Sequence, residues 1–113
     1  MSSNDSSWIK IGDIDSLIED SCNLFDSKLG KIIIIKKSDD GSIHALTGIC
    51  THEEFELDSG FVQENSVICP LHLSAFDIKS GEALNPPAEE PLTVYETKLD
   101  NNTIYIRKRN KNK

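Results

Sequence analysis

Nowhere in the 113 residues is there an apolar run near the roughly 20 residues that a membrane-spanning helix requires. The longest, KIIIIKK at residues 31–37, has the length of a strand, and its β-branched residues favour a well-buried one. The opening MSSNDSSWIK has no basic cluster followed by an apolar stretch, so neither an export signal nor a membrane anchor is expected, and a cytoplasmic address follows. Cysteine is scarce. Cys22, Cys50 and Cys69 make an odd number, which in a chain with no export signal argues against a disulfide scaffold and leaves metal binding as the better use. Basic residues are outnumbered, 12 Lys and Arg against 19 Asp and Glu, for a formal net charge of -7. Nucleic acids and anionic membranes repel such a chain at long range, so both are excluded as partners and proteins presenting basic patches are favoured. No Ser/His/Asp set, phosphate-binding loop or pair of catalytic carboxylates is discernible, so the chain is not expected to be an enzyme on its own.

What is present is a succession of short strands. WIKIG (8–12) alternates apolar and polar residues; DIDSLIED reads as one helical turn or a loop; SCNLFDS is a further strand. KIIIIKK and IHALTG flank the turn residues SDDGS and form a hairpin. GFVQ, SVIC, SAFDI, LTVYETKL and TIYIRK follow, separated by breakers such as QENS, KSGE, NPPAEEP and DNN. Strands of this length and spacing indicate an all-β fold, a small antiparallel sandwich or barrel. The length suits one domain, expected over 8–107 between a disordered start at 1–7 and a basic flexible tail at 108–113, and a monomer is expected.

The two irregular segments between these strands carry the chemistry. Cys50 and His52 are two residues apart, Cys69 and His72 three apart, and sixteen residues separate His52 from Cys69. Two of three histidines falling beside two of three cysteines is a poor fit to coincidence. A tetrahedral zinc accepts two thiolates and two imidazoles, although the Cys-x₂₋₄-Cys and His-x₃₋₅-His spacings common at such sites are absent. The order Cys, His, Cys, His also suits a two-iron cluster to which each loop gives its cysteine on one iron and its histidine on the other.

Cys50-Thr51-His52 and Cys69-Pro70-Leu71-His72 resemble the ligand boxes of Rieske-type [2Fe-2S] proteins. The resemblance continues through ALTGICTH, the turn from Leu57 to Gly60, SVICPLH, AFDIKSGEALNPPAEEPLTVY and TIYI. It implies the Rieske-type fold with two cluster-binding loops and one [2Fe-2S] cluster, with Cys50 and Cys69 on the inner iron and His52 and His72 on the outer. Around it, Asn85, Pro86 and Pro87 would cover the third side, Ser74 would donate a hydrogen bond to sulfur, and Phe76 would stand where high-potential relatives place a tyrosine.

Those relatives follow Cys-Pro-Cys-His-Gly-Ser-x-Tyr, whereas this chain reads CPLHLSAF. Leu71 and Phe55 cannot form the second-loop disulfide, Phe76 has no hydroxyl, and Leu73 replaces a glycine. A potential in the lower half of the Rieske range, roughly -150 to +300 mV, is the expectation. The resemblance is to soluble ferredoxins of multicomponent aromatic oxygenases and monooxygenases, implying a one-electron carrier from a reductase to an oxygenase-type acceptor. The alternatives are a small non-catalytic redox subunit of a larger oxidoreductase and a zinc-stabilised interaction domain. Outside the boxes, Cys22 reads as a small core residue, His44 as solvent-facing or paired across strands, Trp8 as a staple of the first strand, and Glu89 and Glu90 as a solvated loop or a docking patch.

Overall fold

The computed structural model describes residues 8–49, 60–69, 74–84 and 91–108. Within these residues the chain forms nine strands and one turn of 3-10 helix: β1 (Ile9–Asp13), β2 (Asn23–Ser27), β3 (Gly30–Lys36), β4 (Ile43–Thr47), β5 (Phe61–Gln63), β6 (Ser66–Cys69), β7 (Ser74–Asp77), β8 (Val94–Asp100) and β9 (Thr103–Lys108). Every strand expected from the sequence is present, and DIDSLIED holds the helical turn, Ile14–Ser16, whose Asp13 side chain accepts from the Asp15 N–H. No helix among the described residues is long and apolar enough to cross a membrane.

Six strands make one antiparallel sheet in the order β1-β9-β8-β4-β3-β2, and β5-β6-β7 make a second. The large sheet curls toward closure, because side chains from both of its edges, Ile9 and Ile11 of β1 and Phe25 of β2, pack on one core with Ile32, Ile34, Ala45, Ile104 and Ile106. The opposite face of β3 and β4 packs on the small sheet: Ile33, Ile35 and Leu46 meet Val67, Cys69, Phe76, Ile78 and Leu92. Strand β3 is therefore covered on both faces, and Ile32, Ile33, Ile34 and Ile35 are all fully buried. That double burial is the physical reason for an unbroken run of four isoleucines where a one-sided strand would alternate.

Polar groups tie the two sheets at their seam. Lys37, at the end of β3, is buried and its Nζ donates to the Glu64 carbonyl in the β5–β6 turn. An isolated bridge joins Ser21 to Phe61, and Asp20, whose carboxylate accepts from the Ser38 N–H and hydroxyl, is held below the usual carboxylate range by those bonds. On the outer face of the barrel, Trp8 lies 4.2 Å from the Arg107 guanidinium carbon and 4.9 Å from Lys98 Nζ. It staples the first strand as expected, with cations of β8 and β9 as the partners.

Candidate metal centre

Four chain ends of the small sheet lie at one edge of it. In the β5–β6 ladder Phe61 pairs with Ile68, and in the β6–β7 ladder Ile68 pairs with Ala75 and Cys69 with Ser74. The Leu84 N–H donates to the Ala75 carbonyl at 2.7 Å. Gly60, Cys69, Ser74 and Leu84 thus end or begin segments at the same edge, and from it run residues 50–59, 70–73 and 85–90. The second ligand box and the Pro86-Pro87 segment begin there, and the segment that carries the first box ends there at Gly60.

Of the residues singled out in the sequence, Cys69, Ser74 and Phe76 are described, while Cys50, His52, His72, Pro86 and Pro87 lie outside the described residues. Cys69 is the last residue of β6 and Ser74 the first of β7, and each is 1% exposed. As cross-strand partners they share a face, and it is the inner one, since Cys69 belongs to the core with Val67 and Phe76. A thiol and a hydroxyl, both withdrawn from water against an apolar wall, sit at the root of the Cys-x-x-His segment. That donor set fits an iron-sulfur group, which needs thiolate sulfur, a hydrogen-bond donor beside it and protection from solvent.

Two glycines that the sequence reading passed over shape the approaches. A Cβ on Gly48 would stand 2.7 Å from Leu24 Cδ1 and 3.1 Å from the Lys31 carbonyl carbon, so the chain leaving β4 toward Cys50 passes tightly over β2 and β3. Gly48 also donates to the Lys31 carbonyl at 2.7 Å, and the Thr47 N–H to the Thr93 carbonyl at 2.9 Å. A Cβ on Gly81 would fall 2.1 Å from the Leu92 carbonyl oxygen, where φ is +79° and the Leu92 N–H donates to the Gly81 carbonyl. The only hint of the first in the sequence is a glycine two residues ahead of a ligand box; of the second, the turn signal KSGE.

Cys22 packs half-buried against the core that holds Cys69. His44 is half-buried in β4 and belongs to a polar chain: the Ser42 hydroxyl donates to Asp40 at 2.7 Å and accepts from His44 Nε2–H at 2.8 Å. Burial outweighs the pull of Asp40, and the imidazole stays below its ordinary value of 6.5. Acidification therefore charges His44 first in the unfolded chain. Stability is unaffected by this group above about pH 6.5 and declines as pH falls from there toward the lower folded value. Between pH 7 and 5 the urea midpoint of the wild type is expected to drop further than that of His44→Gln; parallel curves would contradict the assignment.

A family model of the Rieske [2Fe-2S] domain matches residues 7–96. The ferredoxin subunit of 3-phenylpropionate/cinnamic acid dioxygenase from Escherichia coli K12 is 33% identical over 67 residues, which are 58% of this chain and 63% of that subunit. The chain thus spans less than two thirds of that relative's length. The structure superimposes on the ferredoxin of carbazole 1,9a-dioxygenase from Nocardioides aromaticivorans IC177 with a TM-score of 0.82 at 25% identity, covering 91% of this chain and 99% of the other. The Sphingomonas yanoikuyae B1 ferredoxin gives a TM-score of 0.77 at 20% identity over 91% and 100%, a likeness of fold.

Proposed function

Since the chain belongs to the Rieske [2Fe-2S] family, we propose that it is a ferredoxin: a one-electron carrier, without catalysis of its own, that takes electrons from a reductase and delivers them to a terminal oxygenase. The observation that carries this reading is the buried pair Cys69 and Ser74 at the edge where both box segments attach. Membership of an iron-sulfur family leaves the zinc-stabilised alternative without support. The ferredoxins of aromatic dioxygenases among its relatives favour an oxygenase as the acceptor.

In this reading Cys50, His52, Cys69 and His72 hold a single [2Fe-2S] cluster, which supplies a centre that accepts and releases one electron. The chain's own residues set its surroundings. Val67, Phe76 and Ile78 exclude water on the core side, and the buried Ser74 hydroxyl is a hydrogen-bond donor within reach of the Cys69 strand end. Pro86 and Pro87, which lie outside the described residues, would cover the remaining side, as the family resemblance implies. The working unit is one domain over 8–107, monomeric and cytoplasmic, flanked by 1–7 and 108–113.

Electron paramagnetic resonance of the dithionite-reduced protein tests the ligand set, because mixed His/Cys ligation gives a spectrum unlike that of an all-Cys cluster, and zinc gives none. Phe76 contributes no hydroxyl where a tyrosine would strengthen sulfur hydrogen bonding, and Glu53 and Glu54 adjoin His52. The potential is therefore expected in the lower half of a range of roughly -150 to +300 mV. Protein-film voltammetry reading above about +200 mV would refute the assignment of these residues as tuning groups.

A further inference from the structure

The outer face of the three-stranded sheet is divided along its strands. Phe61, Ile68 and Ala75 are direct cross-strand neighbours, and Leu84 extends the row through its hydrogen bond to Ala75. Their neighbours Val62, Val67, Phe76 and Ala83 point into the core, so this row points out. It is an apolar stripe exposed at its two ends, Phe61 at 45% and Leu84 at 51%, with Ile68 between them only 9% exposed. Two residues further along the strands a second row reads Gln63, Ser66, Asp77 and Glu82, polar and acidic. No lysine or arginine lies in either row, and Lys79, in the next turn, lines a groove with His44 instead.

An apolar stripe with carboxylates on one flank invites a contact of definite chemistry. We infer that the stripe Phe61–Ile68–Ala75–Leu84 is a docking face for a redox-partner protein that presents an apolar patch flanked by lysines and arginines. The inference rests on the carrier function proposed above and locates one contact on the flat of the sheet, one residue along β6 from Cys69. Transient electron-transfer encounters bury small areas, below about 1,200 Å², and the exposed Phe61 and Leu84 with the half-buried Ala75 between them suit the centre of such a contact. Asp77 and Glu82 beside it, with the net charge of -7 behind them, steer a basic partner toward it and raise the association rate at low salt.

Cytochrome c, a basic haem protein with an apolar haem edge ringed by lysines, serves as the probe. The dithionite-reduced holoprotein, freed of excess reductant, is mixed with ferricytochrome c in a stopped-flow instrument. One electron passes from the protein to the ferric haem. Hexaammineruthenium(III), a small cation needing no docking face, is the reference oxidant. Phe61→Ser/Leu84→Ser is expected to lower the second-order rate to cytochrome c about tenfold while leaving the visible spectrum and the rate to hexaammineruthenium(III) unchanged. Asp77→Lys/Glu82→Lys is expected to lower it further at low salt than at 0.5 M. Leu99→Ser, at a residue equally exposed (48%) near the tip of β8, is expected to change nothing. Wild-type rates to cytochrome c in both double variants would overturn the docking face alone. A protein with no reducible chromophore would overturn the carrier function and the docking face together.

Discussion

Exchanging Cys69 for serine is expected to remove essentially all bound iron, from about two atoms per chain to near zero, together with the visible absorption. The side chain is 1% exposed and faces the core beside Ser74. A serine there retains volume but offers a harder, more basic oxygen in a place where water cannot assist, and an iron-sulfur cluster selects thiolate. His52→Ala and His72→Ala are expected to lose the chromophore as well, since an open position on the outer iron exposes the cluster to solvent. Cys22→Ser is the control. Cys22 packs half-buried at the margin of the same core, and its replacement is expected to leave the iron content at the wild-type level. Because metal binding is coupled to folding, loss of the cluster is also expected to lower the thermal midpoint in the three ligand variants. Iron and acid-labile sulfide analysis of freshly purified protein reads the result, and a Cys69→Ser protein with full iron and an unaltered spectrum would exclude this ligand set.

Gly81→Ala is expected to destabilise the protein by about 3 kcal/mol or more, a large share of the roughly 5–15 kcal/mol available to a domain of this size. Two effects combine. The residue has φ of +79°, which an L side chain rarely adopts, and its new methyl would stand 2.1 Å from the Leu92 carbonyl oxygen and 2.9 Å from Val94 Cγ2. Neither the backbone oxygen nor the adjoining β8 can move without breaking the Leu92-to-Gly81 hydrogen bond. Gly41→Ala separates the two contributions. Gly41 also has a positive φ, +74°, but nothing lies within 4 Å of its added Cβ, so only the conformational penalty of about 1 kcal/mol applies. Urea unfolding of the two variants beside the wild type measures both. Similar losses in both would mean that Leu92 can retreat from Gly81. Since Leu92 follows the 85–90 segment by two residues, the Gly81 variant is also expected to release iron at lower denaturant than the wild type.

Much of the scaffold was legible before the structure. Apolar-polar alternation and the Gly, Asn, Asp and Pro breakers located every strand, because local backbone preference and one-sided burial write a short-range pattern. The hairpin around SDDGS was legible for the same reason: β3 and β4 pair from Ile32 and Thr47 through to Lys36 and Ile43. DIDSLIED stayed ambiguous between a helical turn and a loop, as three helical residues leave no periodicity to read. Lys37 shows the limit of such reading. Nothing in KIIIIKK marks this lysine, yet it is buried with its ammonium on the Glu64 carbonyl, a partner 27 positions away. His44, expected at the surface or in a cross-strand pair, stands opposite Ile35 of β3 and is half-buried, and what the sequence did not show is its ring nitrogen on the Ser42 hydroxyl.

By itself the sequence determined the all-β class, the placement of the strands, the acidic sign of the surface and the Cys-x-His and Cys-x-x-His boxes, since each depends on residues near one another in the chain. Only the tertiary structure decided how nine strands divide into a curled sheet of six and a separate sheet of three, and that β3 and β4 are buried on both faces. The same assembly put Cys69 against Ser74 and lined up Phe61, Ile68, Ala75 and Leu84 on one outer face. Alternation along a strand says which residues share a side, but which strand lies next to it, and in what register, is fixed by packing between distant segments.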